Sequence, residues 1–84
     1  MDLDSLRRYR AVENKDLDEV IFEFREALRL NPNNASTHFS LGVALEEKGD
    51  RVGALEEYRT AYSLDPTNAT YKQNYEQLLR HMKK

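Results

Sequence analysis

The stretch from Asp50 to Ala69, DRVGALEEYRTAYSLDPTNA, decides the fold because it repeats an earlier stretch of the same chain. Asp16 to Ala35 reads DLDEVIFEFREALRLNPNNA and lies 34 residues before it, with eight identical residues in register. A fixed period of this length is typical of stacked helical repeats, in which each unit packs only on its neighbours. Such arrays present a surface to other molecules and do not enclose a reaction centre.

The residue pattern predicts five helices, near residues 3–13, 16–30, 35–48, 51–64 and 69–82. Apolar residues recur at intervals of three or four in these segments, which is the spacing of one helix face. Asn34 and Asp50 stand where N-caps are expected, and Gly49 and Pro66 stand where helices end. The segment Asp16–Glu19 resembles a capping box and predicts a separate helix start after a break at residues 13–15.

The composition describes one small domain with a mixed charge. Its 84 residues include 13 basic and 15 acidic side chains, a formal net charge of −2, and no cysteine. This charge disfavours nucleic-acid binding, and the lack of Cys excludes disulfides and thiolate metal sites. The first ten residues, MDLDSLRRYR, lack the apolar segment of a secretory signal, and no run of about 18 apolar residues follows. We therefore expect a protein that does not span a membrane and is cytoplasmic, with a mature fragment of an exported protein as the alternative.

Residues 35–68 combine two helical segments with a fixed set of small, apolar and turn residues: Leu41, Gly42, Leu45, Gly49, Ala54, Tyr58, Ala61 and Pro66. In these residues, each at the position that the family pattern requires, the segment resembles one unit of the tetratricopeptide repeat family. His38 departs from the pattern, because an aromatic residue is usual there. The resemblance implies an all-α fold of antiparallel helix pairs, stacked as a right-handed α-solenoid. Small residues such as Gly42 and Ala54 suit close helix crossings.

The resemblance divides the chain into about 2.5 repeats within one domain. Residues 1–34 form an irregular first repeat, residues 35–68 a full repeat, and residues 69–84 a C-terminal capping helix. Residues 16–30 match the second helix of the family unit, but Arg8 occupies the position of the small glycine in the first helix. We expect residues 3–13 to pack differently from the family pattern.

The family's role implies a non-catalytic module that binds a peptide or a partner protein in a concave groove. The residues that the resemblance places toward the ligand, or at the family's clamp positions, are Tyr9, Ser36, Phe39, Val43, Glu46, Gln73, Asn74, Gln77 and Arg80. Phe39 is equally well explained by packing against a neighbouring helix. A carboxylate clamp for acidic chaperone tails is disfavoured, because Ser5, Tyr9, Ser40, Thr70 and Asn74 replace its basic and amide residues.

Residues with catalytic or metal-binding chemistry are few and scattered. His38 and His81 are distant in sequence, and adjacent pairs such as Glu46 and Glu47 point about 100° apart on a helix. The glycosylation patterns at Asn34 and Asn68 coincide with helix starts and are explained by N-capping. We expect no enzyme activity, no cofactor and no metal.

The alternative is a self-associating structural segment, or a piece of a longer repeat array. A broad apolar band runs along residues 20–28, more than the first helix is expected to cover. We hypothesise that Leu3, Leu6, Ile21 and Phe22 contribute to a homo-oligomer, formed face to face or by exchange of the first helix through residues 13–15. The same surface would equally suit another repeat in a longer protein.

Overall fold

The computed structural model describes the backbone of residues 3–83 and the side chains of residues 16–83. The described residues form four helices: α1 (Leu3–Leu30), α2 (Ala35–Lys48), α3 (Arg51–Leu64) and α4 (Ala69–Met82). No strand occurs among them, which confirms the all-α prediction. Each helix packs on the next one along the chain, so the molecule is a stack of sequential helix pairs.

The predicted helices at residues 35–48, 51–64 and 69–82 are confirmed as α2, α3 and α4. Capping side chains fix where each of them begins. Asn34 accepts a hydrogen bond from the Thr37 backbone N–H at 3.1 Å, and Asn68 accepts one from Tyr71 at 3.2 Å. Asp50 caps α3 in the same way through the Gly53 N–H, at 2.9 Å. These side chains satisfy N–H groups that have no partner within the helix.

The predicted break at residues 13–15 is wrong, because α1 runs without interruption from Leu3 to Leu30. In the full repeat, the chain reverses at Gly49, which has the left-handed φ of 96° that glycine adopts readily. Lys15 stands one period earlier. A lysine resists that conformation and favours a helix, so the helix continues through Asp16 and no capping box forms there.

All four helices contribute to the core, and α2 contributes more of its buried residues than any other helix. Its buried residues are Ile21, Leu41, Ala44, Leu45, Ala54, Tyr58 and Leu78. Gly42 allows α2 and α3 to approach closely: a Cβ placed there would lie 2.6 Å from the Tyr58 ring. Ala54 and Ala61 are fully buried on α3. The prediction that small residues mark the helix crossings is confirmed.

Candidate protein-binding groove

An open groove of about 390 Å³ lies between α1 and α2. Its lining residues, which are mostly apolar, are Leu17, Val20, Phe24, Phe39, Ser40, Val43, Ala44 and Glu47. The first three come from α1 and the others from α2. We call this surface the α1/α2 groove.

The groove is open because no helix of residues 3–83 covers the second half of α1 on this side. Val20 and Phe24 stand one period before Ala54 and Tyr58, which are only 0% and 1% exposed. In the full repeat α2 covers Ala54 and Tyr58, whereas Val20 and Phe24 are only half-buried. The first half of α1 extends straight ahead instead of folding back. An apolar strip that is buried in one repeat is therefore accessible in the other.

Phe39 both packs within the chain and lines the groove. Its ring centroid lies 5.4 Å from that of Tyr58 and 5.0 Å from that of Tyr71, in tilted arrangements. Such aromatic pairs stabilise by about 0.5–1.5 kcal/mol beyond their buried area. The ring stays half-buried. Ring packing therefore holds a groove-lining side chain in a fixed orientation.

One end of the groove is acidic. A second cavity of about 360 Å³ continues from it and is lined by Asp16, Leu17, Val20 and Glu47. Just outside, Asp18 and Lys48 form an exposed ion pair that links α1 to α2. The groove thus combines an apolar floor with carboxylates at one end.

Among the predicted ligand contacts whose side chains the structure describes, Phe39 and Val43 lie together in this groove, and the others do not. Ser36 is exposed on α2 outside the groove. The Asn74 amide donates a hydrogen bond to the Thr70 carbonyl of its own helix at 2.8 Å. The remaining three predicted contacts on α4, all exposed, are Gln73, Gln77 and Arg80.

Glu46 is engaged within the chain. Its Oε1 accepts a hydrogen bond from the Tyr58 hydroxyl at 2.7 Å. Burial of the phenol raises the pKa of Tyr58 far above its ordinary value, and the Glu46 hydrogen bond and charge add to that shift. Tyr58 is therefore a neutral donor at physiological pH, and Glu46 serves to hold it.

The residues predicted for self-association differ in accessibility. Ile21 is only 8% exposed and belongs to the core, whereas Phe22 is 63% exposed. Phe22 lies outside the α1/α2 groove, beside the carboxylates of Asp18, Glu19 and Glu23. Leu3, Leu6 and Tyr9 lie outside the residues whose side chains the structure describes.

The sequence interpretation did not single out the α1 wall of the groove, Leu17, Val20 and Phe24. It noted an apolar band on this helix but could not tell which side stays uncovered. The lack of a glycine at position 15 was the one feature of the sequence that indicated an uncovered α1, because a hairpin there would need a residue that reverses the chain. It also left open the role of His38, whose ring bridges Glu57 Oε2 at 2.6 Å and the Pro32 carbonyl at 2.8 Å. His38 thereby ties α2 to α3 and to the preceding turn.

Family models and known proteins both match a large part of this chain. Two family models match: one described as TPR repeat over residues 9–49, and one described as tetratricopeptide repeat over residues 35–68. A TPR repeat-containing protein of Pseudomonas aeruginosa is 46% identical over 54 residues, which cover 64% of this chain and 22% of that protein. Tetratricopeptide repeat protein 36 of Xenopus tropicalis is 38% identical over 55 residues, 66% of this chain and 27% of the relative.

A third relative, cellulose synthase operon protein C of Escherichia coli K12, is 36% identical over 56 residues, 67% of this chain and 5% of the relative. This chain therefore spans less than a third of the length of each of these proteins. With the repeat spacing, the helix pairs and the two family models in agreement, the chain belongs to the tetratricopeptide repeat family.

Tetratricopeptide repeats generally mediate protein–protein interaction, and the family is typically non-catalytic. Within residues 3–83, no helix is long and apolar enough to cross a membrane. The described side chains also contain no group of three His, Cys, Asp or Glu placed to hold a metal ion.

Proposed function

We propose that this chain is a non-catalytic interaction module that binds an amphipathic helix of a partner protein in the α1/α2 groove. The observation that carries the proposal is the uncovered apolar strip of α1, Leu17, Val20 and Phe24, facing Phe39 and Val43 across an open groove of about 390 Å³. In the full repeat the counterparts of Val20 and Phe24, Ala54 and Tyr58, are covered by α2, so a helix is the shape that this surface accommodates.

A helix suits an apolar groove for a second reason. Its backbone N–H and C=O groups are paired internally, so it can bury one face without leaving unsatisfied polar groups. The partner face would present apolar residues at i, i+3 or i+4, and i+7. A basic residue at one end would meet Asp16 and Glu47.

The polar residues predicted on α4 extend the same proposal. Phe39 contacts Tyr71 of α4, so the α2 wall continues toward that helix. Gln73 and Gln77 are exposed there, and a longer partner would hydrogen-bond to them. Binding would centre on Phe39 and Val43 and respond weakly to salt, because apolar burial supplies most of the affinity. The division of the chain into three repeat segments stays a prediction.

The test uses peptides displayed on phage and selected on the full chain at low surface density. Selected peptides should share an apolar i, i+3 or i+4, i+7 pattern. Their affinity should fall about tenfold or more with Val43→Glu, since a buried unpaired charge replaces an apolar contact. Phe22→Glu is the matched control, because it adds the same charge outside the groove. Peptides that bind the wild type and Val43→Glu equally well would refute this placement.

A further inference from the structure

Two substitutions prevent the first repeat from closing as the full repeat does. Lys15 stands in register with Gly49, whose left-handed conformation reverses the chain. Arg8 stands in register with Gly42, where even a Cβ would lie 2.6 Å from the Tyr58 ring. If residues 3–13 folded back on residues 16–30 as α2 does on α3, the Arg8 side chain would overlap the ring of Phe24, the counterpart of Tyr58. The chain therefore has a groove for a helix and a helical segment that cannot reach that groove through the usual turn.

We propose that the α1/α2 groove binds residues 3–13 of a second copy of this chain. The two α1 helices would pack antiparallel about a two-fold axis near Lys15, so that each first half covers the second half of the other. This inference rests on the proposed role of the groove in binding a helix. It assigns that helix to another copy of the same chain.

The lengths of the two halves suit such an exchange. Helix α1 has 28 residues, and residue 15 lies close to its middle. At 100° per residue, the sequence places Leu3, Leu6 and Tyr9 on the same face as Leu17, Val20 and Phe24. A two-fold antiparallel pair needs this arrangement, because one continuous stripe must supply both the covering and the covered surface.

The charges of the two halves favour the antiparallel direction. Residues 1–15 carry four basic and three acidic side chains, whereas residues 16–30 carry two basic and five acidic ones. In an antiparallel pair the basic half of one helix lies beside the acidic half of the other. In a parallel pair the two basic halves would lie side by side, and so would the two acidic halves. Arg10 of the second copy would lie toward the acidic end of the groove, where Glu47 lines the wall.

A second copy fits better than the chain's own segment for a steric reason. A helix tethered by the short turn of a repeat is held in register, with position 8 against Phe24. A helix from another molecule can rotate and shift by part of a turn, so that positions 6 and 9 face the groove and position 8, which is 100° or more from both around the helix, points away from it. The exchange therefore avoids both obstacles, the missing glycine at the turn and the bulky side chain at the crossing.

The first experiment measures the mass of the full chain by analytical ultracentrifugation from micromolar to millimolar concentration. We expect a monomer–dimer equilibrium that Phe24→Glu and Leu6→Glu each weaken about tenfold or more, while Phe22→Glu leaves it unchanged. Circular dichroism checks that helix content is retained. Leu6→Glu is the safer variant, since residue 6 lies about three helical turns before Leu17, the first groove-lining residue of its own chain. A wild type that stays monomeric at millimolar concentration would overturn the proposal.

Two further variants test the arrangement within the dimer. Restoring both glycines, in Arg8→Gly/Lys15→Gly, should let the first repeat close on itself and give a monomer; a dimer of unchanged affinity would contradict helix exchange. Because the chain has no cysteine, single cysteines can report direction. A short bismaleimide should link Glu13→Cys copies near the axis but not Ser5→Cys copies, which lie about 30 Å apart in an antiparallel pair. Linking of both would indicate a parallel pair and refute the model.

The outcomes separate this inference from the proposed function. A monomeric wild type that still binds groove-selected peptides, and loses them with Val43→Glu, would reject the second copy and retain the groove. A monomer that binds no peptide would reject both. A dimer whose dissociation is promoted by the selected peptides would support both, because peptide and second copy would then compete for one surface.

Discussion

The close crossing of α2 and α3 predicts that a single methyl group added at Gly42 lowers the free energy of unfolding measurably. Gly42 is buried in α2, and a Cβ there would lie 2.6 Å and 2.7 Å from two Tyr58 ring carbons and 3.3 Å from the Ala54 carbonyl oxygen. The ring cannot easily retreat. It is 1% exposed, it contacts Phe39, and its hydroxyl donates to Glu46 at 2.7 Å.

The size of the effect follows from two opposing contributions. Replacing glycine by alanine within a helix stabilises by about 1 kcal/mol. Overpacking a well-filled crossing typically costs about 1–3 kcal/mol, and an overlap of this depth falls at the upper end. We therefore expect Gly42→Ala to lower the free energy of unfolding by about 2 kcal/mol. For a domain of this size, that corresponds to a fall in Tm of roughly 8–16 °C.

Gly53→Ala is the matched control, because its Cβ would also meet a nearby atom, Asp50 Oδ2 at 2.5 Å. That atom belongs to an exposed carboxylate that can rotate away, so the gain in helix propensity should offset the disturbed cap. Both variants are compared by urea denaturation followed by circular dichroism, at one concentration because self-association would shift the midpoint. If Gly42→Ala proves as stable as Gly53→Ala, the crossing is looser than its geometry indicates and the reasoning is wrong.

Three other predictions concern caps, titration and surface charge. Asn34→Ala and Asn68→Ala should each lower the free energy of unfolding by about 1 kcal/mol, whereas Asn33→Ala, at an exposed turn residue, should not; equal losses would show that capping is not the cause. Because burial raises the pKa of Tyr58, the folded chain keeps a proton that the unfolded chain loses above about pH 10. Wild-type stability should therefore fall more steeply with rising alkaline pH than that of Tyr58→Phe, and parallel pH profiles would contradict this assignment. Lys48→Gln breaks an exposed pair with Asp18 and should change stability by less than about 1 kcal/mol even at low salt, as chemical denaturation would show.

Helices α2, α3 and α4 could be predicted from sequence because each boundary is set by residues adjacent to it. Asn34, Asp50 and Asn68 satisfy N–H groups within three residues, and Gly49 ends α2 through its own backbone conformation. The error at residues 13–15 has the same origin. Asp16 is a good cap, but a cap alone does not end the preceding helix. The chain also needs a residue that leaves the helical conformation at low cost, and Lys15 does not supply it.

The groove was only half predictable, since its openness depends on tertiary structure. Phe39 and Val43 occupy positions that the family pattern marks. The family pattern does not assign Val20 and Phe24 to ligand binding, because residues at these positions are buried when a hairpin closes over them. Their exposure follows from the path of residues 3–15, which decides whether a helix lies on them. The occupation of Glu46 by Tyr58 likewise requires the spatial proximity of two helices.

The straight course of α1 also fixes where the polypeptide enters this domain. Had the first repeat closed at residue 15, residue 3 would stand beside the turn that follows Leu30. In the continuous helix, the two ends of α1 are about 40 Å apart and the chain enters along the helix axis. A domain fused to this end would stand away from the repeat stack in a direction set by α1. Glycine at both positions 8 and 15 would let the first repeat close and bring that fusion back against the stack, so two residues set the geometry of attachment.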